Sequence, residues 1–188
     1  MKGKWKDTFF QKYGIWLLLG FRIYMNTAIL LIGGNLGDRV ANLQQAVALI
    51  GASAGEVLKT SALYQTAPWG SVDQPDYLNQ GIEIQTSMDA LTLLHTLLDI
   101  ERRIGRIRQE KWGARVIDID LIFFNDEILS LPELKLPHPR MHLRQFVLVP
   151  LAEIVPDYLH PVLHKTVRQL QQDCPDDLSA VKLSTQSS

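Results

Sequence analysis

Arg115–Phe124 reads RVIDIDLIFF. Seven of these ten residues are apolar, as in a buried β-strand, yet Asp118 and Asp120 interrupt the run. Side chains alternate across a strand, so both carboxylates project from one face, roughly 6–7 Å apart along the chain. Val116 and Ile122 share that face, while Ile117, Ile119 and Leu121 fill the other. Two like charges in a dry element are unfavourable unless something offsets them, and at least one is expected to hold its proton more tightly than a free carboxyl. Two readings are open. A solvent-facing strand edge would hydrate both groups. A hard cation would bind them: Mg²⁺ takes oxygen ligands, commonly one or two carboxylates plus substrate phosphates, and two such ions can clamp a polyphosphate and an attacking oxygen. Asp-x-Asp by itself does not decide between them.

The approach to the pair favours the cation. From Glu101 to Arg115 the chain carries Arg102, Arg103, Arg106, Arg108, Lys111 and Arg115 against Glu101 and Glu110. Such a stretch could be a solvated helix end, since basic residues suit helix C-termini. Gly105 and Gly113 loosen it, however, and Trp112 is a large aromatic in a polar loop. Arginine forks bind phosphates bidentately. Acidic metal ligands beside a closing arginine loop are what phosphoryl transfer needs. Further along, PHPRMHLRQF (Pro137–Phe146) holds His138, Arg140, His142 and Arg144. Its prolines break the helix that a pair of zinc-binding histidines four apart would require, so phosphate or nucleotide contacts suit these residues better. No Walker-type motif occurs, and GGNLGD (Gly33–Asp38) is glycine-rich without being a dinucleotide fingerprint; a tight strand-to-helix turn is its plain reading.

The elements that must position these groups follow from periodicity. Ala28–Ile32 is a short apolar run entering Gly33-Gly34: a buried strand and a turn. From Asp38, Val40, Leu43, Val47 and Ile50 fall at helical spacing, with Asn35 or Asp38 available as a cap. GEVLKTSALYQT reads as a strand, TAPWGSVDQPDY as a loop punctuated by Pro68, Gly70 and Pro75, and YLNQGIEIQTS as a returning strand. From Asp89, Leu91, Leu94, Leu98 and Ile104 mark a second helix, which leads through the arginines into the aspartate strand. The order β-α-β-β-α-β predicts a ferredoxin-like α+β sandwich, one sheet with two helices on one face, followed by C-terminal additions. The remainder from Glu127 is proline-rich and predicts irregular structure with a short final helix near Val167–Gln172.

Length and composition bound the partners. The 188 residues suit one well-buried domain. A net charge of −1 provides no whole-molecule field for nucleic acid or a membrane surface, and the single cysteine, Cys174, fits a reducing cytoplasm. Residues 1–24 carry Lys2, Lys4 and Lys6 and then a short apolar patch that is too short to span a bilayer and lacks a cleavage site. We expect them to be a non-essential extension, with the domain at 25–175 and a polar tail at 176–188.

KWGARVIDIDLI (Lys111–Ile122) resembles the signature of the 6-hydroxymethyl-7,8-dihydropterin pyrophosphokinases of folate biosynthesis. GGNLGDR (Gly33–Arg39), LYQTAPWGSVDQPDYLN (Leu63–Asn79) and LPHPRMHLRQFVLVPL (Leu136–Leu151) agree with that family in order and spacing, and the resemblance covers roughly residues 27–172. It implies a ferredoxin-like enzyme that transfers pyrophosphate from ATP to the pterin hydroxymethyl group, leaving AMP. It further implies that Asp118 and Asp120 hold two Mg²⁺ ions. Arg106, Arg115 and Asp120 take catalytic roles by the same resemblance; it carries over no general base, for which Asp120 is only a candidate. Thr66, Ala67, Trp69, Tyr77, Asn79, Trp112 and Phe146 fall at pterin positions, and Glu101, Arg108, Arg115, Leu121, His138 and Arg144 at ATP positions. Gly34 stands where the family usually has serine. A cytoplasmic monomer without nucleic-acid or membrane partners is the expected setting. Two rival classes are a non-catalytic ligand-binding module, which Mg²⁺-dependent ATP binding would exclude, and another two-metal transferase such as a nucleotidyl transferase or cyclase, which AMP as product would exclude.

Overall fold

The structure, a computed structural model, describes residues 24–68, 74–106 and 113–184. Trp69, Arg108 and Trp112 lie outside the described residues, as do residues 1–23 of the expected extension. The chain begins its sheet with β1 (Asn26–Gly34), whose residues from Ala28 onward are all buried. Helix α1 (Arg39–Ser53) starts at Asp38, whose carboxylate accepts from Ala41 N–H at 3.0 Å, so Asp38 rather than Asn35 is the cap. The predicted second strand is two pieces, β2 (Glu56–Thr60) and β3 (Tyr64–Thr66), which both pair antiparallel with β4 (Tyr77–Thr86). Ser61 makes the joint: its N–H donates to Gly81 O and its hydroxyl accepts from Gly81 N–H, each at 2.9 Å. Helix α2 (Ala90–Ile104) is capped by Asp89 and ends at Gly105, whose left-handed φ of 107° suits only glycine well.

Strand β5 (Asp118–Phe124) pairs antiparallel with β1, giving the order β5–β1–β4–β3, with β2 also on β4 and β8 (Val181–Lys182) beyond β3. A small hairpin, β6 (Leu129–Ser130) with β7 (Lys135–Leu136), follows β5. Both faces of the sheet are covered. Ala28, Leu30, Ile32, Ile117, Ile119 and Leu121 face α1 and α2, where the buried helix residues are Leu43, Ala46, Ile50, Leu93, Leu97 and Ile100. The α2 face is therefore centred one position away from the predicted Leu91–Leu94–Leu98 stripe, whose members are only partly buried.

The other face carries the main departure from expectation. Ile29, Leu31, Ile122 and Phe123 pack against α3 (Gln145–Ile154) and α4 (Val167–Gln172). The final helix falls where predicted, but α3 forms in a stretch expected to be irregular, with Pro150 inside it. Proline removes one helical hydrogen bond. The burial of Val147, Leu148, Leu151 and Ile154 offsets that loss, so packing overrides local propensity. Gly81 on β4 allows the close approach: a Cβ there would lie 3.1 Å from Leu151 Cδ2 and 3.2 Å from Pro150 O. The fold is thus a mixed α/β domain with an antiparallel sheet and four α-helices among the described residues. None of those helices is long and apolar enough to cross a membrane.

Candidate active site

On β5 the aspartates point to the α3 face, as alternation requires, and their cross-strand partners on β1 are Gly33 for Asp118 and Leu31 for Asp120. Helix α3 covers this face only in part, and a cavity of about 440 Å³ opens beside it. Thr66, Ala67, Tyr77, Asn79 and Phe146 line that cavity together with Arg115, Arg144, Asp118 and Asp120. A second cavity, about 400 Å³, is lined by Glu101, Arg106, Leu121 and His138 and again by Asp118 and Asp120. The carboxylate pair therefore stands where the two spaces meet. Each described residue that the family resemblance assigned to the site lines one cavity or the other, but His142 lies against His160 and Arg102 pairs with Asp99, outside both. Arg115 and Arg144 line the first cavity, on the side of the expected pterin residues, whereas Glu101, Leu121 and His138 line the second.

The first cavity suits a flat polar heterocycle. Phe146 offers a ring face, with the Arg144 guanidinium 5.5 Å from its centroid. Asn79 is buried, and its amide donates to the Thr66 hydroxyl at 3.0 Å, which fixes the amide orientation. Gly33 makes room for it, since a Cβ there would sit 2.4 Å from Asn79 Oδ1. Volumes in this range hold small ligands, and a few fixed polar groups in an aromatic slot give orientation.

Electrostatics distinguish the two aspartates. Asp118 accepts from both Arg106 and Arg115, so guanidinium charge offsets it directly. Arg106 also pairs with Glu101, which is 2% exposed at the end of α2 and accepts from Ile119 N–H at 2.7 Å. Burial pushes the Glu101 carboxyl up and Arg106 pulls it back, while Asp118 and Glu101 raise Arg106 against the effect of its own burial. Asp120 makes no ion pair of this kind among the described residues. Burial, followed by the fields of Asp118 and Glu101, pushes it up to about 7, with Arg115 and Arg144 acting in the opposite sense. One member of the pair is therefore held by arginines, while the other, without such a partner, resists ionisation. A cation would lower the cost of ionising Asp120, so the donor set fits a hard metal ion. Among the described residues no group of three or more His, Cys, Asp or Glu side chains is arranged to hold a metal alone. Two carboxylates completed by substrate oxygens would meet the requirement.

His138 in the second cavity is held neutral: burial, with Arg144 and Arg140, lowers it to about 4. Its Nδ1 is buried with no hydrogen-bond partner among the described residues.

Asn35 is a site residue that the sequence reading did not select. It is 2% exposed; its Oδ1 accepts from Arg115 N–H at 2.8 Å, and Asn35 N–H and Leu36 N–H both donate to Arg115 O. Its Nδ2 donates to Pro75 O at 3.1 Å. The glycine-rich turn thus fixes the backbone of Arg115 and the loop before β4. The signal was the block Gly33–Asp38 itself, an asparagine between glycines at a strand end. Gly34 is part of the same closure: a Cβ there would lie 2.3 Å from Val116 O.

Comparison with known proteins agrees with this geometry. Residues 29–156 match the model of the 7,8-dihydro-6-hydroxymethylpterin-pyrophosphokinase family. A 2-amino-4-hydroxy-6-hydroxymethyldihydropteridine pyrophosphokinase of Synechocystis sp. is 47% identical over 150 residues, covering 78% of this chain and 76% of that protein. The Bacillus subtilis protein of the same name is 45% identical over 130 residues, covering 69% of this chain and 78% of its own. Among solved structures, the fold resembles Plasmodium falciparum HPPK-DHPS, crystallised as the wild type with pterin and p-hydroxybenzoate, with a TM-score of 0.64 at 22% identity. The match covers 79% of this chain but only 42% of that longer one. With two cavities joined at an aspartate pair, and with these relatives over most of its length, the chain belongs to the 7,8-dihydro-6-hydroxymethylpterin-pyrophosphokinase family.

Proposed function

We propose that this chain transfers the terminal pyrophosphate of ATP to the hydroxymethyl group of 6-hydroxymethyl-7,8-dihydropterin, with the pterin in the first cavity and ATP in the second. The observation that carries the reading is that both cavities are lined by Asp118 and Asp120. A two-substrate transfer needs the acceptor oxygen and the phosphorus to meet at one point. Asp118 and Asp120 are the residues that would hold Mg²⁺, two ions by the family resemblance. When bound, Mg²⁺ would supply positive charge that neutralises the transferring phosphates.

The protein's own groups do the rest. Phe146 stacks on the pterin ring, and Asn79, with its amide fixed by Thr66, reads the ring edge. Tyr77 and Ala67 complete that slot, with Trp69 and Trp112 assigned to it from the family pattern. Arg106 and Arg115 neutralise the charge that develops on the transferring phosphates, an electrostatic contribution that preorganised cations supply without reorganising at the moment of reaction. Asn35 holds the backbone of Arg115 for that purpose. Glu101, Leu121 and His138 line the nucleotide side, with Arg108 assigned there from the family pattern, whereas Arg144, expected on that side, lines the first cavity. In the reaction the hydroxymethyl oxygen bonds to the β-phosphorus, the bond from that phosphorus to the bridging oxygen breaks, and AMP leaves with that oxygen. The hydroxyl proton leaves late in a loose transition state, with Asp120 only a candidate acceptor.

The strand order β5–β1–β4–β3, with β2 also on β4, supports a ferredoxin-like reading of the βαββαβ core. A cytoplasmic monomer acting on small molecules is part of the same proposal. The test is product identity. With ATP, Mg²⁺ and the hydroxymethyl dihydropterin, AMP and a pterin diphosphate are expected in equal amounts. ADP, or free pyrophosphate, would contradict the reading.

A further inference from the structure

The C-terminal segment does more than trail from the domain. Asp176 Oδ2 accepts from Gln145 N–H, the first helical amide of α3, at 2.9 Å, and its Oδ1 accepts from Leu178 N–H at 3.2 Å. Helix α3 lacks a cap of its own. Its N-cap residue is Arg144, whose side chain makes no capping hydrogen bond, and a cation at a helix N-terminus opposes the helix dipole. Arg144 lines the first cavity beside Phe146, so the position is given over to the site. Asp176 supplies both the acceptor and the negative charge that the helix start is missing.

Beyond Asp176 the chain crosses to the sheet edge. Strand β8 pairs with β3, Lys182 opposite Tyr64 and Val181 opposite Gln65, and Leu183 N–H donates to Leu63 O at 2.9 Å. Lys182 Nζ reaches Glu153 Oε1 at 3.0 Å, and Glu153 Oε2 accepts from Ala62 N–H and from the Tyr64 hydroxyl. Strand β3 has only three residues and would otherwise be an edge strand paired with β4 alone. Short edges of that kind open readily. It ends at Thr66, the residue that fixes Asn79.

We propose that residues 176–183 form a strap that fixes two walls of the pterin cavity, Phe146 at the start of α3 and Thr66 at the end of β3, with Asp176 as a positioning residue. The identity of the ligand rests on the function proposed above; the strap itself rests on the hydrogen bonds. The strap acts on acceptor binding and not on the phosphate side, because its contacts reach the first cavity's walls and none of the groups peculiar to the second.

Amide hydrogen exchange and steady-state kinetics test this on the full chain, on Asp176→Ala, on Asp176→Asn and on a variant ending at Ala180. In Asp176→Ala, exchange at residues 145–148 should quicken about three- to tenfold. In the shortened chain, exchange at residues 62–66 should quicken by about the same factor, with α1 unchanged in both variants. The KM for the pterin should rise about three- to tenfold, while kcat and the KM for ATP stay within about twofold. Asp176→Asn keeps an acceptor oxygen for Gln145 N–H and should recover most of the pterin affinity. Unchanged exchange at both walls, faster exchange spread equally through α1, a parallel rise in both KM values, or an Asp176→Asn variant no better than Asp176→Ala would each overturn the proposal. A wild-type chain that turns over no pterin would defeat the functional reading instead, and the exchange measurement would still decide the strap.

Discussion

Replacing Asp120 by asparagine should stabilise the fold, and by an amount that depends on pH. Burial and the neighbouring carboxylates push Asp120 from 3.8 to about 7. A carboxyl raised in the folded state contributes stability that is fully present below its unfolded pKa and is lost as pH rises through the folded one. At about 1.4 kcal/mol per pKa unit, charging Asp120 in the fold costs about 2–3 kcal/mol more at about pH 8 than at about pH 5. Asparagine has the shape of the neutral carboxyl and no charge to gain. Asp120→Asn should therefore gain about 2–3 kcal/mol on the wild type between those two conditions, read from urea unfolding followed by circular dichroism in the absence of nucleotide and divalent metal. Asp118→Asn should do the reverse. It strips two half-buried guanidiniums, Arg106 and Arg115, of a shared anion, at a cost of about 1–3 kcal/mol. A stability difference for Asp120→Asn that is the same at both pH values, or a loss at the higher one, would refute the assignment of the strained charge to Asp120.

Four other outcomes follow from named contacts. His138→Gln should flatten the loss of stability on acidification: a histidine lowered to about 4 destabilises the fold as pH falls below 6.5, here by about 2–3 kcal/mol at full protonation of the unfolded chain. Thermal melts from pH 7 downward check it. Gly33→Ala places a methyl group 2.4 Å from Asn79 Oδ1 and should raise the KM for the pterin well above any change in the KM for ATP. Arg115→Ala should lower turnover by more than it weakens pterin binding, measured by single-turnover kinetics against equilibrium titration. A chain starting at Met25 should fold and keep its activity, because β1 begins at Asn26; circular dichroism and the AMP assay check both halves.

Much of this arrangement was legible in the sequence because alternation and helical spacing are properties of the backbone. The common face of Asp118 and Asp120 follows from the two-residue period of β5 alone, Asp89 marked the start of α2, and the start of α1 was narrowed to Asn35 or Asp38, of which Asp38 is the cap. Helix α3 was not legible. Its proline argues for a break, and only the apolar face of the sheet, with Gly81 open beneath Leu151, makes the helix worth forming. The unequal surroundings of the two aspartates were hidden for the same reason. The repeat D-I-D is symmetric in sequence, but Arg106 and Arg115 converge on Asp118 through the end of α2 and the turn held by Asn35, and both are tertiary contacts. Asn35 itself looked like turn chemistry, because nothing local shows that its amide reaches Arg115, 80 residues along the chain.

The central claim is that the transfer happens where Asp118 and Asp120 join the two cavities. Its most direct test is Mg²⁺-dependent AMP formation by the wild type, by Asp118→Asn, by Asp120→Asn and by the double variant, each first shown to be folded. Each single substitution should remove most of the activity, and the double variant should be barely worse than either, since groups that act as a unit do not add. Full Mg²⁺-dependent turnover in either single variant would contradict the account.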